Sequence, residues 1–336
     1  MGKTPLVSVI LLTLNSEKYI ARALRSVYSQ DYENIEVLVI DAGSSDSTKD
    51  IVTSFSGARW LVLPNSDMGM ARNFGVRESV GDVIMFLDSD DIYLEGKIDR
   101  QVDALLNCAD LDFVASQAYV MRTHDQLVGV KDWTYQKLSI DSFLKGHCYS
   151  LATLCLRRDR LPEICKFHEG EAGRYCEDWS FQLQLLLDNL TYQGLPFCSV
   201  LVELRPDSHT DWSSQPKMKR IGRNIVAAAI ARLEADKKDY TSDKQAIIDD
   251  YEFKLAVSLL AVGDLVAGRK SLKKLTVKYR LVGRIFHVIS YLLPKFIFTK
   301  ILKCLWSKRQ NDSFKWSEQP DGLRQWVYKH NINLDL

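Results

Sequence analysis

From residue 6 the chain alternates short apolar runs with segments whose apolar residues return every three or four positions. Val7 to Leu14 is interrupted only by Ser8 and Thr13, the pattern of a strand buried on both faces. Tyr19, Ile20, Ala23, Leu24 and Val27 follow at helical spacing, with Asn15 placed to cap that helix. Ile35 to Ile40 predicts a second strand, followed by a polar turn from Asp41 to Asp46 and a helix to about Phe55. Trp60 to Leu63 predicts a third strand, Met70 to Ser79 a helix, Asp82 to Leu87 a fourth buried strand, and Lys97 to Leu106 a helix. Strands alternating with helices predict an α/β fold, a mostly parallel sheet with flanking helices. After residue 106 the pattern is mixed through Gly146 to Leu156, and Trp179 to Asn189 then reads as a helix with Phe181, Leu185 and Leu186 inward. Beyond a polar stretch from Pro206 to Pro216 most of the chain reads as helix. The expected organisation is a first domain over residues 1–215, with halves 1–106 and 107–215, and a C-terminal helical appendage over 216–336.

Composition narrows the class. A chain of 336 residues, 46% hydrophobic and 26% charged, excludes disorder. Seven scattered cysteines without a CxxC pair point to a reducing compartment and away from structural zinc. The first residues lead directly into the apolar run of strand one, which is too short for a membrane span and lacks a small-residue cleavage site, so a cytoplasmic protein is expected.

The formal net charge of +1 is a sum of unlike parts. Between Asp264 and Asp312 there are twelve Lys or Arg residues and no acid, so the remaining 32 basic residues face all 43 acidic ones, a net −11. Within this basic segment, residues 265–311, Leu281, Val282, Ile285, Phe286, Ile289, Leu292 and Leu293 form one helical face, and Ile297, Phe298, Ile301, Leu302 and Leu305 a second after Pro294. Arg284, Lys295, Lys300 and Lys303 argue against a span. An apolar face with basic flanks suits the surface of an anionic membrane, which is the partner expected; the same face packed on the first domain is the alternative. Nucleic acid is not an expected partner, because no basic groove interleaved with aromatic residues is evident.

Polar clusters end strands one, two and four, where ligands bind in an open α/β sheet. Asp88-Ser89-Asp90-Asp91 is the densest. Three carboxylates in four residues repel one another, and a divalent cation would offset that. A helix-capping turn is an equally good account of these residues alone.

Thr13-Leu14-Asn15, the run from Asp41 to Thr48, Gly69-Met70-Ala71-Arg72-Asn73-Phe74-Gly75 and the acidic cluster occur in order. Together they resemble the family 2 glycosyltransferases over roughly residues 6–210. The resemblance implies a Rossmann-like GT-A fold and a nucleotide-sugar donor, most simply a UDP-sugar. It implies that Asp41 accepts from the uracil ring, that Thr13 and Asn15 stand at the base pocket, and that Arg72 lies near the base and phosphates. Asp88 matches the ribose-binding acid and Asp90 the ligand of a Mn2+ or Mg2+ cofactor. One departure is Leu14, where the family commonly has an aromatic residue. A surface arginine on a helix whose apolar face is Phe74 and Val76 is the plain alternative for Arg72.

Cys176-Glu177-Asp178-Trp179 matches the family's Glu-Asp motif, which implies Asp178 as the base for the acceptor hydroxyl, with Glu177 and Trp179 on the acceptor side. Acids in a first helical turn are also favoured by the helix dipole alone. His209, in a polar segment resembling the family's flexible loop, is the candidate to reach the metal, while His124, His147 and His168 read as structural or surface residues. These parts imply one in-line displacement with inversion, and a saccharide or lipid-linked saccharide acceptor in cell-surface glycan synthesis at the inner face of the membrane. The Gln-x-x-Arg-Trp motif of processive synthases is absent. A nucleotidyltransferase, or a binding protein without catalysis, are the rival classes; the first should show an early Gly-rich phosphate loop, and the second would not need Asp178.

Overall fold

The computed structural model describes residues 4–122, 126–131, 139–146, 149–161, 166–204, 214–238, 240, 243–275 and 299–300. Along the chain come β1 (Val7–Thr13), α1 (Ile20–Tyr28), β2 (Ile35–Asp41), α2 (Thr48–Thr53), β3 (Ala58–Val62), α3 (Met68–Glu78), β4 (Val83–Asp88), β5 (Ile92–Tyr93) and α4 (Lys97–Leu106). There follow β6 (Phe113–Arg122), β7 (Gln126–Lys131), α5 (Ile140–Leu144), β8 (Leu154–Arg157), α6 (Glu171–Tyr175), α7 (Glu177–Leu187) and β9 (Tyr192–Leu204). The last elements are α8 (Gln215–Ala235), α9 (Lys244–Ala261) and α10 (Leu265–Leu272). The chain divides into two compact units, the first drawn from residues 1–138 and 148–206, the second from 139–147 and 207–314.

The first unit is built on one sheet in the order β3-β2-β1-β4-β8-β6-β9-β5, with β7 paired to β6. From β3 to β4 every pairing is parallel, as the alternation of strands and helices predicts. Beyond β4 the sheet becomes mixed, because β8 runs antiparallel to both β4 and β6. The long strand β6 lies in the stretch whose sequence pattern is mixed, β9 lies in a segment for which the pattern predicts no element, and bulges break their shared register.

The apolar runs of β1, β2 and β4 are explained by helices on both faces. Val7, Val9 and Leu11 share a core with Ile20, Ala23, Leu24 and Val27 of α1 and with Ile98, Val102 and Leu105 of α4. On the opposite face α3 lies so close that a Cβ on Gly75 would stand 2.4 Å from Ile10 Cγ2. The buried positions of α3 are Gly69, Ala71, Arg72 and Gly75, not Phe74 and Val76. Arg72 is therefore an interior arginine rather than a surface one.

Helix α1 is not capped by Asn15: its N-cap is Tyr19, without a side-chain bond. Asn15 instead adopts a left-handed backbone, φ 48°, and joins two loops. Its amide donates to Ser44 Oγ at 2.8 Å, and its Oδ1 accepts from the Ser45 amide at 2.8 Å. In α7, Phe181 and Leu185 are buried as expected and Leu186 is half-buried.

In the second unit Glu252 of α9 joins its neighbours, pairing with Arg223 of α8 at 2.7 Å and with Lys274 at 3.5 Å. Asp264 caps helix α10, its carboxylate accepting from the Ala267 amide, and Leu272 and Leu275 pack on Ala256 and Leu260 of α9. No helix among the described residues is long and apolar enough to cross a membrane.

Candidate active site

The strand order places a topological switch between β1 and β4: from β1 the chain proceeds outward through β2 and β3, then returns to β4 on the other side. A crevice forms at the carboxyl ends of such strands. The register puts Thr13 beside Asp41 and Leu12 beside Asp88, so the ends of three strands meet there. Thr13 Oγ1 is buried and has no hydrogen-bond partner among the described residues. A buried hydroxyl left in this state costs free energy unless something else bonds it.

Asp41 is buried and holds its own loop. Its carboxylate accepts from the amides of Gly43 at 3.2 Å and Ser44 at 2.9 Å, and from Ser44 Oγ at 2.5 Å. This is the Asx geometry in which a turn is made by the side chain. The turn holds the carboxylate in place at the end of β2.

Arg72 is the centre of the site. Only 2% of it is exposed, yet it donates to two carboxylates: Nη2 to Asp88 Oδ1 at 2.9 Å and Nη1 to Glu177 Oε1. Its Nε has no partner among the described residues. Burial opposes the charge, and Asp88 and Glu177 outweigh it, so the guanidinium stays protonated with its pKa raised. Glu177 shows the other side of that balance: burial pushes its carboxyl up to about 7 against the pull of Arg72, and Asp178 pushes the same way. The arginine thereby joins the end of β4 to the start of α7, elements about 90 residues apart in the chain.

Aromatic packing explains why α7 starts there. Phe181 of α7 stacks on Phe167 with ring centres 4.0 Å apart, and Phe167 meets Phe86 of β4 edge-on at 5.3 Å. Arg72 lies over Phe167 at 5.7 Å. Asp178 is the second residue of the helix and half-buried, its Oδ1 accepting from the Trp179 amide at 2.6 Å; Trp179 is buried.

The structure adds residues that no motif reading singled out. Asn73 grips the chain ahead of α6: its Nδ2 donates to the Phe167 carbonyl and its Oδ1 accepts from the Phe167 amide, both at 2.9 Å. Asp67 caps α3 at Met70 and also accepts from the Gly170 amide at 2.7 Å. Asn73 and Gly69 stand in the quoted segment, so the signal was present, but the partner strand of chain was not. His168, read as structural or surface, bonds Ser180 Oγ through Nδ1 at 2.9 Å, and burial lowers its pKa. His124, His147 and His209 lie outside the described residues.

Asp88 ends β4 with its side chain about half exposed, and Asp90, half-buried, follows in the loop. Among the described residues no three His, Cys, Asp or Glu side chains converge on one point. Two hard carboxylate donors nevertheless fit Mn2+ or Mg2+, which commonly take one or two carboxylates and complete their shell with water and substrate phosphate.

A mixed α/β sheet with a switch-point crevice, an acidic loop after β4 and a buried arginine between that loop and the start of α7 defines the architecture of the candidate site. The family model Glycosyl transferase family 2 matches residues 8–146, and this chain belongs to that family. Among curated relatives it is 33% identical to the Escherichia coli enzyme WfgD, a UDP-Glc:alpha-D-GlcNAc-diphosphoundecaprenol beta-1,3-glucosyltransferase, over 55% of this chain and 71% of that protein. It spans 61% and 49% of the length of two uncharacterized Rickettsia glycosyltransferases that it also matches. Among solved structures, TarS of S. aureus in complex with UDP-GlcNAc superimposes with a TM-score of 0.60 at 19% identity, covering 94% of this chain and 95% of that one. The mannosyltransferase PcManGT of Pyrobaculum calidifontis, in complex with GDP-Man and Mn2+, gives 0.53 at 14% identity, covering 90% and 85%. Likeness at these identities establishes the fold, which is of the GT-A type.

Proposed function

We propose that the protein transfers one sugar from a UDP-sugar to a saccharide or lipid-linked saccharide, with inversion at the anomeric carbon. The observation that supports the reading is the Asp88–Arg72–Glu177 network, in which a buried arginine ties the end of β4 to the first residue of the helix that carries Asp178. Thr13, Asn15 and Asp41 would border the nucleotide base and Asp88 the ribose. Asp178 takes the proton of the acceptor hydroxyl as it attacks, and Glu177 and Trp179 shape the acceptor side. Glu177 cannot easily share the proton-accepting role, because it is committed to Arg72.

Asp90, with Asp88, would hold Mn2+ or Mg2+, and His209 is the further candidate ligand. When bound, such an ion neutralises charge on the departing diphosphate. The Mn2+ of PcManGT supports this part of the reading, and the UDP-Glc donor and diphosphoundecaprenol-linked acceptor in the name of WfgD support the substrate classes. Residues 1–215 form the catalytic domain in this reading, with a donor half over 1–106 and an acceptor half over 107–215. Residues 216–336 are the C-terminal region of this reading, and its basic segment 265–311, of which 276–298 and 301–311 lie outside the described residues, would hold the enzyme on the inner face of the cell membrane.

The test is UDP release from a panel of UDP-sugars with Mn2+ and undecaprenyl-linked or free saccharide acceptors. Asp178→Ala is expected to slow turnover about 10²- to 10⁴-fold, the usual contribution of a positioned base. Asp90→Ala should abolish the response to Mn2+. Undiminished turnover in both variants overturns the mechanism.

A further inference from the structure

The acidic loop is held at each of its four residues. Asp88 is paired with Arg72, and Ser89 Oγ shares a hydrogen bond with Ser16 Oγ at 2.8 Å. The Asp90 carbonyl accepts from Arg22 Nη2 at 3.2 Å, and Asp91 Oδ1 accepts from the Glu203 amide at 3.3 Å. The last two contacts converge on an ion pair that no motif contains. Arg22 projects from α1 and Glu203 from the end of β9, 181 positions apart, and they meet with side chains 4% and 2% exposed.

This pair is poorly suited to stabilising the fold. Arg22 Nε and Nη1 and Glu203 Oε1 have no hydrogen-bond partner among the described residues. A buried pair satisfied so incompletely barely offsets its desolvation, and apolar side chains of similar volume would serve packing as well. Apolar side chains would not, however, donate to the Asp90 carbonyl. Nor would a lone arginine serve, since its uncompensated charge beside Asp90 would repel any cation held there.

We infer that Arg22 and Glu203 are positioning residues for the acidic loop. Arg22 fixes the backbone from which the Asp90 carboxylate projects, and Glu203 cancels the charge of Arg22 while its amide anchors Asp91. The inference rests on the reading of Asp90 as the cation ligand.

The experiment uses the full chain, with Mn2+ binding measured by calorimetry in the presence of UDP, alongside thermal unfolding and steady-state kinetics. Glu203→Gln keeps an acceptor for Arg22 but leaves its charge unbalanced. The double variant Arg22→Met, Glu203→Met keeps volume and net charge but removes the donor to Asp90. Both are expected to weaken Mn2+ binding about 10-fold or more, the scale on which residues supporting metal ligands act. The double variant should unfold within a few degrees of the parent and lose kcat with little change in the KM for the UDP-sugar. Arg22→Lys, which restores a charge and a donor opposite Glu203, should recover part of the loss. Parent-like Mn2+ affinity in both Glu203→Gln and the double variant overturns the inference, as does a double variant that fails to fold, because the pair would then be structural. A parent protein that binds no Mn2+ with UDP instead overturns the cation reading of Asp90, and the inference with it.

Discussion

Two of the buried cations of the first unit, Arg72 and Lys97, behave oppositely, because of these two only Arg72 has carboxylates beside it. Arg72 keeps its charge between Asp88 and Glu177. Lys97 is wholly buried, donates to Gln101 Oε1 and lies 4.6 Å from the centre of the Tyr93 ring, and among the described residues it has no carboxylate partner. Burial lowers its pKa from 10.5 to about 7, with the Cys155 thiol a smaller opposing influence. The unfolded lysine holds its proton up to about 10.5 and the folded one releases it above about 7, so between those values the unfolded state binds more protons. Stability is therefore expected to rise with pH through that window, by at most about 1.4 kcal/mol per pH unit, and to be lost as pH falls through 7. Urea unfolding between pH 7 and 9.5 should show this rise in the parent and a flatter profile in Lys97→Met. Parallel profiles would mean that Lys97 keeps its proton in the fold.

Helix α3 shows how an element is specified by what it must avoid. A Cβ on Gly69 would lie 1.8 Å from the His168 carbonyl oxygen and 3.1 Å from Gly173 Cα. Alanine would favour the helix by about 1 kcal/mol. Backbone on the far side of the contact cannot move aside as a side chain can, so an overpacking cost of about 1–3 kcal/mol, or more, prevails. Gly69→Ala is expected to lower the midpoint of thermal unfolding and, because Arg72 is carried by the same helix, to weaken UDP binding measured by calorimetry. An unchanged or raised midpoint would show that the loop at 168–173 yields freely. The helix was legible as a helix, but its buried face was not: a stripe of Gly, Ala and Arg carries no apolar periodicity, and the phenylalanine and valine that do are half-buried.

At the scale of the molecule, a segment with twelve basic residues and no acid stands in a chain whose remainder is net acidic. On the reading that this segment meets anionic lipid, each Lys or Arg near the surface contributes about 1 kcal/mol. Replacing Lys278, Arg280, Arg284, Lys295, Lys300 and Lys303 by Gln in the full chain should reduce co-sedimentation with phosphatidylglycerol vesicles at least 100-fold while leaving UDP release in detergent solution intact. Retained binding would leave the basic charge without a role at the membrane.

The sequence by itself determined the alternation of buried strands and helices, the polar strand ends that face the crevice, and the charge asymmetry. Each of these is local: a segment's own period and polarity record how much of it is buried. Only the tertiary structure decided which charges meet. Arg72 reaches Glu177 across 105 positions and Arg22 reaches Glu203 across 181. The same holds for β6 and β9, whose parallel pairing follows a sheet order that skips along the chain. Such pairings depend on the order and register of strands, which a residue's neighbours in sequence do not encode, and in this protein they are what brings distant carboxylates onto buried arginines.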